Sequence, residues 1–347
     1  MQLKQTVKNT DFEKIIFAAR EDNFNQSAVE LFNYQYQHNN IYRQFCDHLK
    51  INAAEVNDVT KIPFLPISFF KTHAVKTAEF ETDTVFESSG TTQARLPDGQ
   101  AITSRHFVKD IGLYRKSFTT CFEKFYGPPK NKCILGLLPS YLERKNSSLV
   151  LMVDELIQAS NNPLSGFYLY DHEKLHSTIL HNELLKLPTL LMGVTYALLD
   201  FAEAFPMQLR HTVIMETGGM KGRREELTRP EVHAQLQKHL GISLVHSEYG
   251  MTELLSQAYS KGDGIFHCPG WMKVLLRDED DPFHISTAAD VENSGKTGLI
   301  NVIDLANIHS CSFIATDDVG RLHVNESFEV LGRVDNSDIR GCSLMVM

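Results

Sequence analysis

The 347-residue sequence lacks most of the features that would place it in a special class. Its six cysteines (Cys46, Cys121, Cys133, Cys268, Cys311 and Cys342) are scattered, with no C-x-x-C pair. In a chain this long, that excludes a disulfide framework or zinc site and points to reduced thiols. No run approaches the ~18 apolar residues of a membrane span. The Met-Gln-Leu-Lys-Gln start is polar, so no signal peptide is expected and the cytoplasm is the expected location. Positive charge is in deficit: 34 Lys and Arg stand against 43 Asp and Glu, a net charge of −9. Nucleic acid and anionic membrane surfaces are therefore not expected partners. Internal repeats, low-complexity segments and flexible linkers are also missing.

What remains is the profile of an ordinary globular protein, 42% hydrophobic and 22% charged, long enough for about two domains. Residues 1–80 read as a helical segment packed on the core. Thr10-Asp11-Phe12-Glu13 and Ser27-Ala28-Val29-Glu30 are capping-box patterns that open periodic apolar runs. Aromatics are dense here (Phe12, Phe17, Phe24, Phe32, Tyr34, Tyr36, Tyr42, Phe45), and their helical spacing reads as packing. Pro63 and Pro66 then break the chain. An alternating stretch, Phe80 to Phe86, leads into Ser88-Ser89-Gly90-Thr91-Thr92, and a helix is expected from Ser104 to about Phe125. Strand-like and helix-like segments alternate from Cys133 to Val245, which argues for βαβ units and a mainly parallel sheet. From Met272 the strands are short and unbroken by helices, the pattern of an antiparallel β subdomain.

Five motifs carry chemistry. A strand at Ile242–Val245 is expected to deliver His246-Ser247-Glu248-Tyr249-Gly250-Met251-Thr252-Glu253 to its carboxyl end, where open α/β sheets bind ligands. Tyr249 offers a flat face for a base, Thr252 a hydroxyl for a phosphate, and Glu253 a hard oxygen for Mg²⁺. The Ser88–Thr92 turn presents hydroxyls and N–H groups to a polyphosphate, but no Gly-Lys-Ser/Thr follows, so it is no Walker loop. Glu216-Thr217-Gly218-Gly219 closes a strand with two glycines, allowing a flat ligand close to the backbone. Thr316-Asp317-Asp318 is expected at a strand end, its carboxylates suited to ribose hydroxyls, and Gly332-Arg333-Val334-Asp335 follows. Each alone also fits a plain turn, an acidic loop or a charged tail.

In this order the motifs resemble the adenylate-forming superfamily of acyl-CoA synthetases, luciferases and adenylation domains. The resemblance runs from about residue 80 to 342. It implies the superfamily's α/β fold, with mainly parallel sheets flanked by helices and a C-terminal antiparallel β part. The Arg-Gly-Cys-Ser-Leu ending, residues 340–344, is similar to the acyl-protein synthetases of bacterial bioluminescence operons. That resemblance implies ATP and Mg²⁺ as cofactors and a carboxylic, fatty acid as substrate. It further implies a thioester on Cys342 and delivery to a reductase partner. Ser88, Ser89, Gly90, Thr91, Thr92, Gly218, Gly219, Tyr249, Gly250, Asp318 and Arg333 would hold the nucleotide. Thr252, Glu253 and Cys342 would be catalytic.

There are departures. Gln93-Ala94-Arg95-Leu96 stands where the family has Gly and Lys, and Asp317 replaces a Gly. The expected organisation is a helical segment (1–80), an adenylate-forming core (81–331) and a hinge with a short tail (332–347), without the superfamily's large C-terminal domain and its lysine. A CoA ligase with a separate partner chain, and a non-catalytic acyl-adenylate-binding scaffold, are the competing readings.

Overall fold

The computed structural model describes residues 9–88, 103–138, 146–218, 227–292 and 294–334. Three helices open the chain: α1 (Asn9–Phe17), α2 (Glu21–His38) and α3 (Asn40–His48). The short strand β1 (Leu65–Pro66), the one-turn helix α4 (Phe69–Thr72) and the hairpin partners β2 (Thr84–Glu87) and β3 (Arg105–Val108) follow. Then come α5 (Ile111–Tyr126), β4 (Cys133–Leu137), α6 (Ser148–Ser160), β5 (Gly166–Phe167), α7 (His172–Leu185), β6 (Thr189–Gly193), α8 (Thr195–Ala204), β7 (Thr212–Glu216), α9 (Arg229–Leu240) and β8 (His246–Tyr249). The last part is all strand: β9 (Ala258–Ser260), β10 (Phe266–His267), β11 (Met272–Arg277), β12 (Ile285–Ser286), β13 (Lys296–Asp304), β14 (Phe313–Leu322) and β15 (Phe328–Arg333).

The alternating half forms the expected parallel sheet, in order β8-β7-β6-β4-β5. β4 and β6 are buried at every position, because helices cover both faces of a parallel sheet and leave no polar side. The antiparallel half is not a separate body. β9 pairs antiparallel with β8, and the sheet continues through β10, β15, β14, β13, β11 and β12. β1 adds to β14 in parallel and so ties the N-terminal segment to that half.

Three local expectations shift. The strand expected at Ile242–Val245 lies four residues later, because pairing to β7 begins at Met215–His246. Leu244 is 45% exposed, so the run before His246 does not present one buried face. The helix expected from Ser104 starts at Ile111, where Asp110 caps it by accepting from the Gly112 N–H at 2.7 Å. Arg105–Val108 pairs with β2 instead, turning His106 and Val108 inward by period two. Finally, Thr316-Asp317-Asp318 does not end a strand: β14 runs through it to Leu322.

Candidate nucleotide site

The Thr316–Asp318 motif sits on an irregularity of β14. Ala315 pairs with Asn301 and Val319 with Leu299, so β14 carries surplus residues opposite Ile300. A bulge of this kind frees backbone groups and re-aims side chains. The freed groups are satisfied locally. Thr316 Oγ1 donates to the Ile300 carbonyl at 2.8 Å and accepts from the Asp318 N–H at 3.1 Å. Arg277 donates to the Thr316 carbonyl at 2.5 Å and to the Ile300 carbonyl at 3.0 Å. Asp318 is thereby held rigidly.

Its carboxylate joins three motifs that are far apart in sequence. Oδ2 accepts from the Tyr249 hydroxyl at 2.9 Å, and Oδ1 from Arg333 Nε at 3.0 Å, Arg333 being the direct cross-strand partner of Asp318. Asp318 is 6% exposed, while the Arg333 side chain is 62% exposed and faces outward. The Tyr249 ring lies edge-on to Phe266 and Phe328, with centroids 5.9 and 5.4 Å away. Burial and the Asp318 charge push its phenol well above the usual range, so it stays a donor.

Behind this lies the Thr252–Glu253 turn, whose backbone is held from all sides. His106 donates Nδ1–H to the Thr252 carbonyl at 2.9 Å, and burial lowers its pKa to about 4, so the ring is neutral. Asn307 donates to the Glu253 carbonyl at 2.6 Å. Asp304 accepts from the Leu255 and Ser256 N–H groups at 2.8 and 3.0 Å, and from the Ser256 hydroxyl at 2.6 Å. The Glu253 carboxyl is 5% exposed. Burial raises its pKa, opposed by the Ser104 hydroxyl and by the Arg333 and Lys71 charges. Ser104 also anchors Ser88: their backbones bond at 3.0 Å, and the Ser88 hydroxyl accepts from the Ser104 N–H at 2.9 Å.

A divalent cation would favour the ionised Glu253. Among the described residues no cluster of three or more His, Cys, Asp or Glu forms a metal cage.

At the end of β7 the glycine turn hangs from Glu216. Its Oε2 accepts from the Gly218 N–H at 2.8 Å and from Thr195 Oγ1 at 3.2 Å, while Oε1 accepts from Arg229 Nε at 3.2 Å. Burial alone would raise the pKa of Glu216, but His233, Arg229, Ser247 and the Gly218 N–H bring it to about 2. Gly218 has φ +75°, a conformation that costs a side-chain-bearing residue strain. Arg229 continues to the Val330 carbonyl of β15 at 2.8 Å and lies over the Phe266 ring at 5.0 Å. Next to it, burial and the Glu216 charge raise Glu248 to about 8. Gly250 is tight against Glu248: a Cβ there would meet Oε1 at 2.3 Å.

The structure thus brings Ser88, Gly218, Tyr249, Gly250, Thr252, Glu253, Asp318 and Arg333 to the carboxyl ends of β7 and β8 and the adjoining β14–β15 ladder. Ser89, Gly90, Thr91, Thr92, Gly219, Asp335 and Cys342, with Arg95 and Arg340, lie outside the described residues. Sequence reasoning missed Arg277, His106, Asp304, Asn307 and Arg229, which show no motif; only Arg277, a charge closing an apolar strand, left a signal.

The fold has counterparts among solved structures. ATP-bound MatB from Rhodopseudomonas palustris superposes with a TM-score of 0.50 at 14% identity, over 81% of this chain and 51% of that one. An ATP-bound RpMatB-BxBclM chimera gives 0.52 at 14% identity over the same shares. A 2-hydroxyisobutyryl-CoA ligase in complex with 2-HIB-AMP, in the postadenylation state, gives 0.59 at 10% identity, over 97% of this chain and 74% of that one. At these identities the likeness is one of fold. This chain spans about half the length of the MatB structure. Residues 7–103, the segment that carries α1 to α4 with β1 and β2, match the family described as Acyl-protein synthetase, LuxE. No curated protein sequence matches the chain. No described helix is long and apolar enough to cross a membrane.

Proposed function

We propose that the protein is an ATP-dependent, AMP-forming acyl-protein synthetase. It activates a carboxylic acid, of fatty type, and loads the acyl group onto Cys342 for a reductase partner. The observation that carries this reading is the Asp318 carboxylate, shared between Tyr249 and Arg333 within reach of the Glu253 turn. The match of residues 7–103 to the acyl-protein synthetase family supports it over a CoA ligase. The three-part organisation, 1–80, 81–331 and 332–347, is part of the same proposal.

In this reading a vicinal diol takes the place of the Tyr249 hydroxyl on Asp318, with Arg333 still on the other oxygen, which fixes the ribose. Thr92 and Thr252 hold phosphate oxygens, and Glu253 would hold a divalent cation, which would supply charge neutralisation there. The acid's carboxylate oxygen bonds to the α-phosphorus as the bond to pyrophosphate breaks. The Cys342 thiolate then attacks the acyl carbon and AMP leaves with the electron pair.

An ATP–pyrophosphate exchange screen over fatty, branched and aryl acids tests the first step. Incubation with ATP, Mg²⁺ and the active acid is expected to add one acyl mass, removable by neutral hydroxylamine and lost in Cys342→Ser while exchange persists. Background exchange with every acid would favour a non-catalytic binder, and an adduct on another cysteine would refute the tail's role.

A further inference from the structure

We propose that Lys71 is the cation that receives the β- and γ-phosphates, the part of the nucleotide that leaves as pyrophosphate. This assignment rests on the adenylating function above and goes beyond it.

The site holds Glu253, Asp317 and Asp318, and a nucleotide triphosphate brings several more negative charges. The neighbouring guanidiniums are already committed. Arg333 lies on Asp318 at 3.0 Å, and Arg277 is used on the Thr316 and Ile300 carbonyls and on Asn301. Lys71 differs: among the described residues its ammonium enters no ion pair and no side-chain hydrogen bond, and the residue is half-buried.

Its position follows from two anchors. β1 runs parallel to β14, with Leu65 opposite Ile314 and Pro66 opposite Ala315, and the Ile67 N–H donates to the Ala315 carbonyl at 2.9 Å. The chain beyond β1 is thus delivered to the end of β14 where the Thr316–Asp318 bulge lies. There α4 is nailed down by Phe70, fully buried, whose ring stands edge-on to His106 with centroids 6.0 Å apart. His106 in turn holds the Thr252 carbonyl. Lys71, the next residue, is therefore at the rim of the Thr252–Glu253 turn. Its charge reaches the Glu253 carboxylate, as does that of Arg333.

The groups thus fall in an order: Asp318 with Arg333, then Glu253, then Lys71. A nucleotide whose ribose is on Asp318 and whose metal is on Glu253 points its outer phosphates at Lys71. As the bond from the α-phosphorus to the bridging oxygen breaks, its electron pair goes to the departing pyrophosphate. The ammonium stabilises that charge without transferring a proton. A compact ammonium on a flexible stem suits a terminal phosphate as a point charge.

The test uses the full chain carrying Lys71→Ala, Lys71→Gln and Lys71→Arg. Exchange kinetics are read with calorimetric affinities for Mg·ATP, pyrophosphate and AMP. Lys71→Ala is expected to weaken ATP and pyrophosphate binding about tenfold or more and to slow exchange about a hundredfold. AMP affinity should stay within about twofold and the melting temperature should move little, because the ammonium enters no ion pair or side-chain hydrogen bond among the described residues. Lys71→Arg should restore most of the exchange. Unchanged ATP and pyrophosphate affinities in Lys71→Ala, with normal exchange, would overturn the role of Lys71 alone. An equal loss of AMP binding would recast it as a general support of the site and also refute the proposal. Wild-type protein that binds neither ATP nor AMP would overturn the proposed function, and this inference with it.

Discussion

Single carboxylates in this protein differ by what surrounds them. Asp318 and Asp317 are adjacent, yet only Asp318 holds both Tyr249 and Arg333. Asp318→Ala is expected to raise the KM for ATP at least about tenfold, corresponding to about 1.4 kcal/mol or more of lost binding. Asp317→Ala should change it by less; steady-state kinetics of both variants check the ranking, and the reverse order would place the ribose on Asp317. Glu216 and Glu248 form a second contrast. Glu248 has a folded pKa of about 8, above the ordinary 4.5, so it stays protonated in the fold while the unfolded chain ionises. Its penalty is absent below about pH 4.5, grows through the interval and is complete above about 8. Glu248→Gln should therefore gain stability relative to wild type between pH 5 and pH 8, by on the order of a few kcal/mol across the window. Denaturant midpoints at the two pH values measure this, and a constant gap would mean that Glu248 ionises normally.

At the scale of elements, two irregular features do what regular strands cannot. The surplus in β14 turns Asp318 toward Tyr249, which a straight ladder would have set by alternation alone. The Arg229 side chain then bridges the glycine turn after β7 to β15, through Glu216 on one side and the Val330 carbonyl on the other. Glu216 ionises with a pKa of about 2, so its contribution is present above pH 4.5 and lost as the pH falls toward 2. Arg229→Ala removes a partner from a carboxylate whose side chain is only 4% exposed, and is expected to cost about 2–4 kcal/mol at pH 7. The acid-unfolding midpoint should rise in the variant, and adding Glu216→Gln should recover part of the loss. If the double variant is no more stable than the single one, the bridge to Val330 rather than the Glu216 pair carries the energy.

The whole molecule is held together across its ends. Gln35 of α2, fully buried, donates to the Asn307 and Ile308 carbonyls at 3.0 and 3.1 Å and accepts from the Ser312 N–H at 2.9 Å. Asn307 then donates to Glu253, so the segment matching the acyl-protein synthetase family supports the turn proposed for the metal. Gln35→Leu orphans those backbone groups and is expected to cost about 2–3 kcal/mol in a single unfolding transition. Pyrophosphate exchange should fall with it. Two separate transitions in calorimetry would show instead that the segment folds apart from the sheet.

The same distances separate what the sequence determined from what the tertiary structure decided. Period-two and helical spacing, glycine turns and the alternation from Cys133 to Val245 are local properties, so the α/β class, the parallel half and most element positions were legible in residue order. The motif around Tyr249 and Glu253 stands out by its residue types, and its nucleotide role belongs to the proposal above. The strand beginning at His246 was not, because its limits are set by pairing with β7 rather than by its own run of Ile, Leu and Val. Nor was the β14 bulge, which exists only opposite Ile300 of β13. Arg229, His106 and Asn307 act across 101, 146 and 54 residues of chain. No spacing rule connects residues so far apart; only the packing of the sheet, with its demand that each buried carbonyl find a donor, brought them to the site.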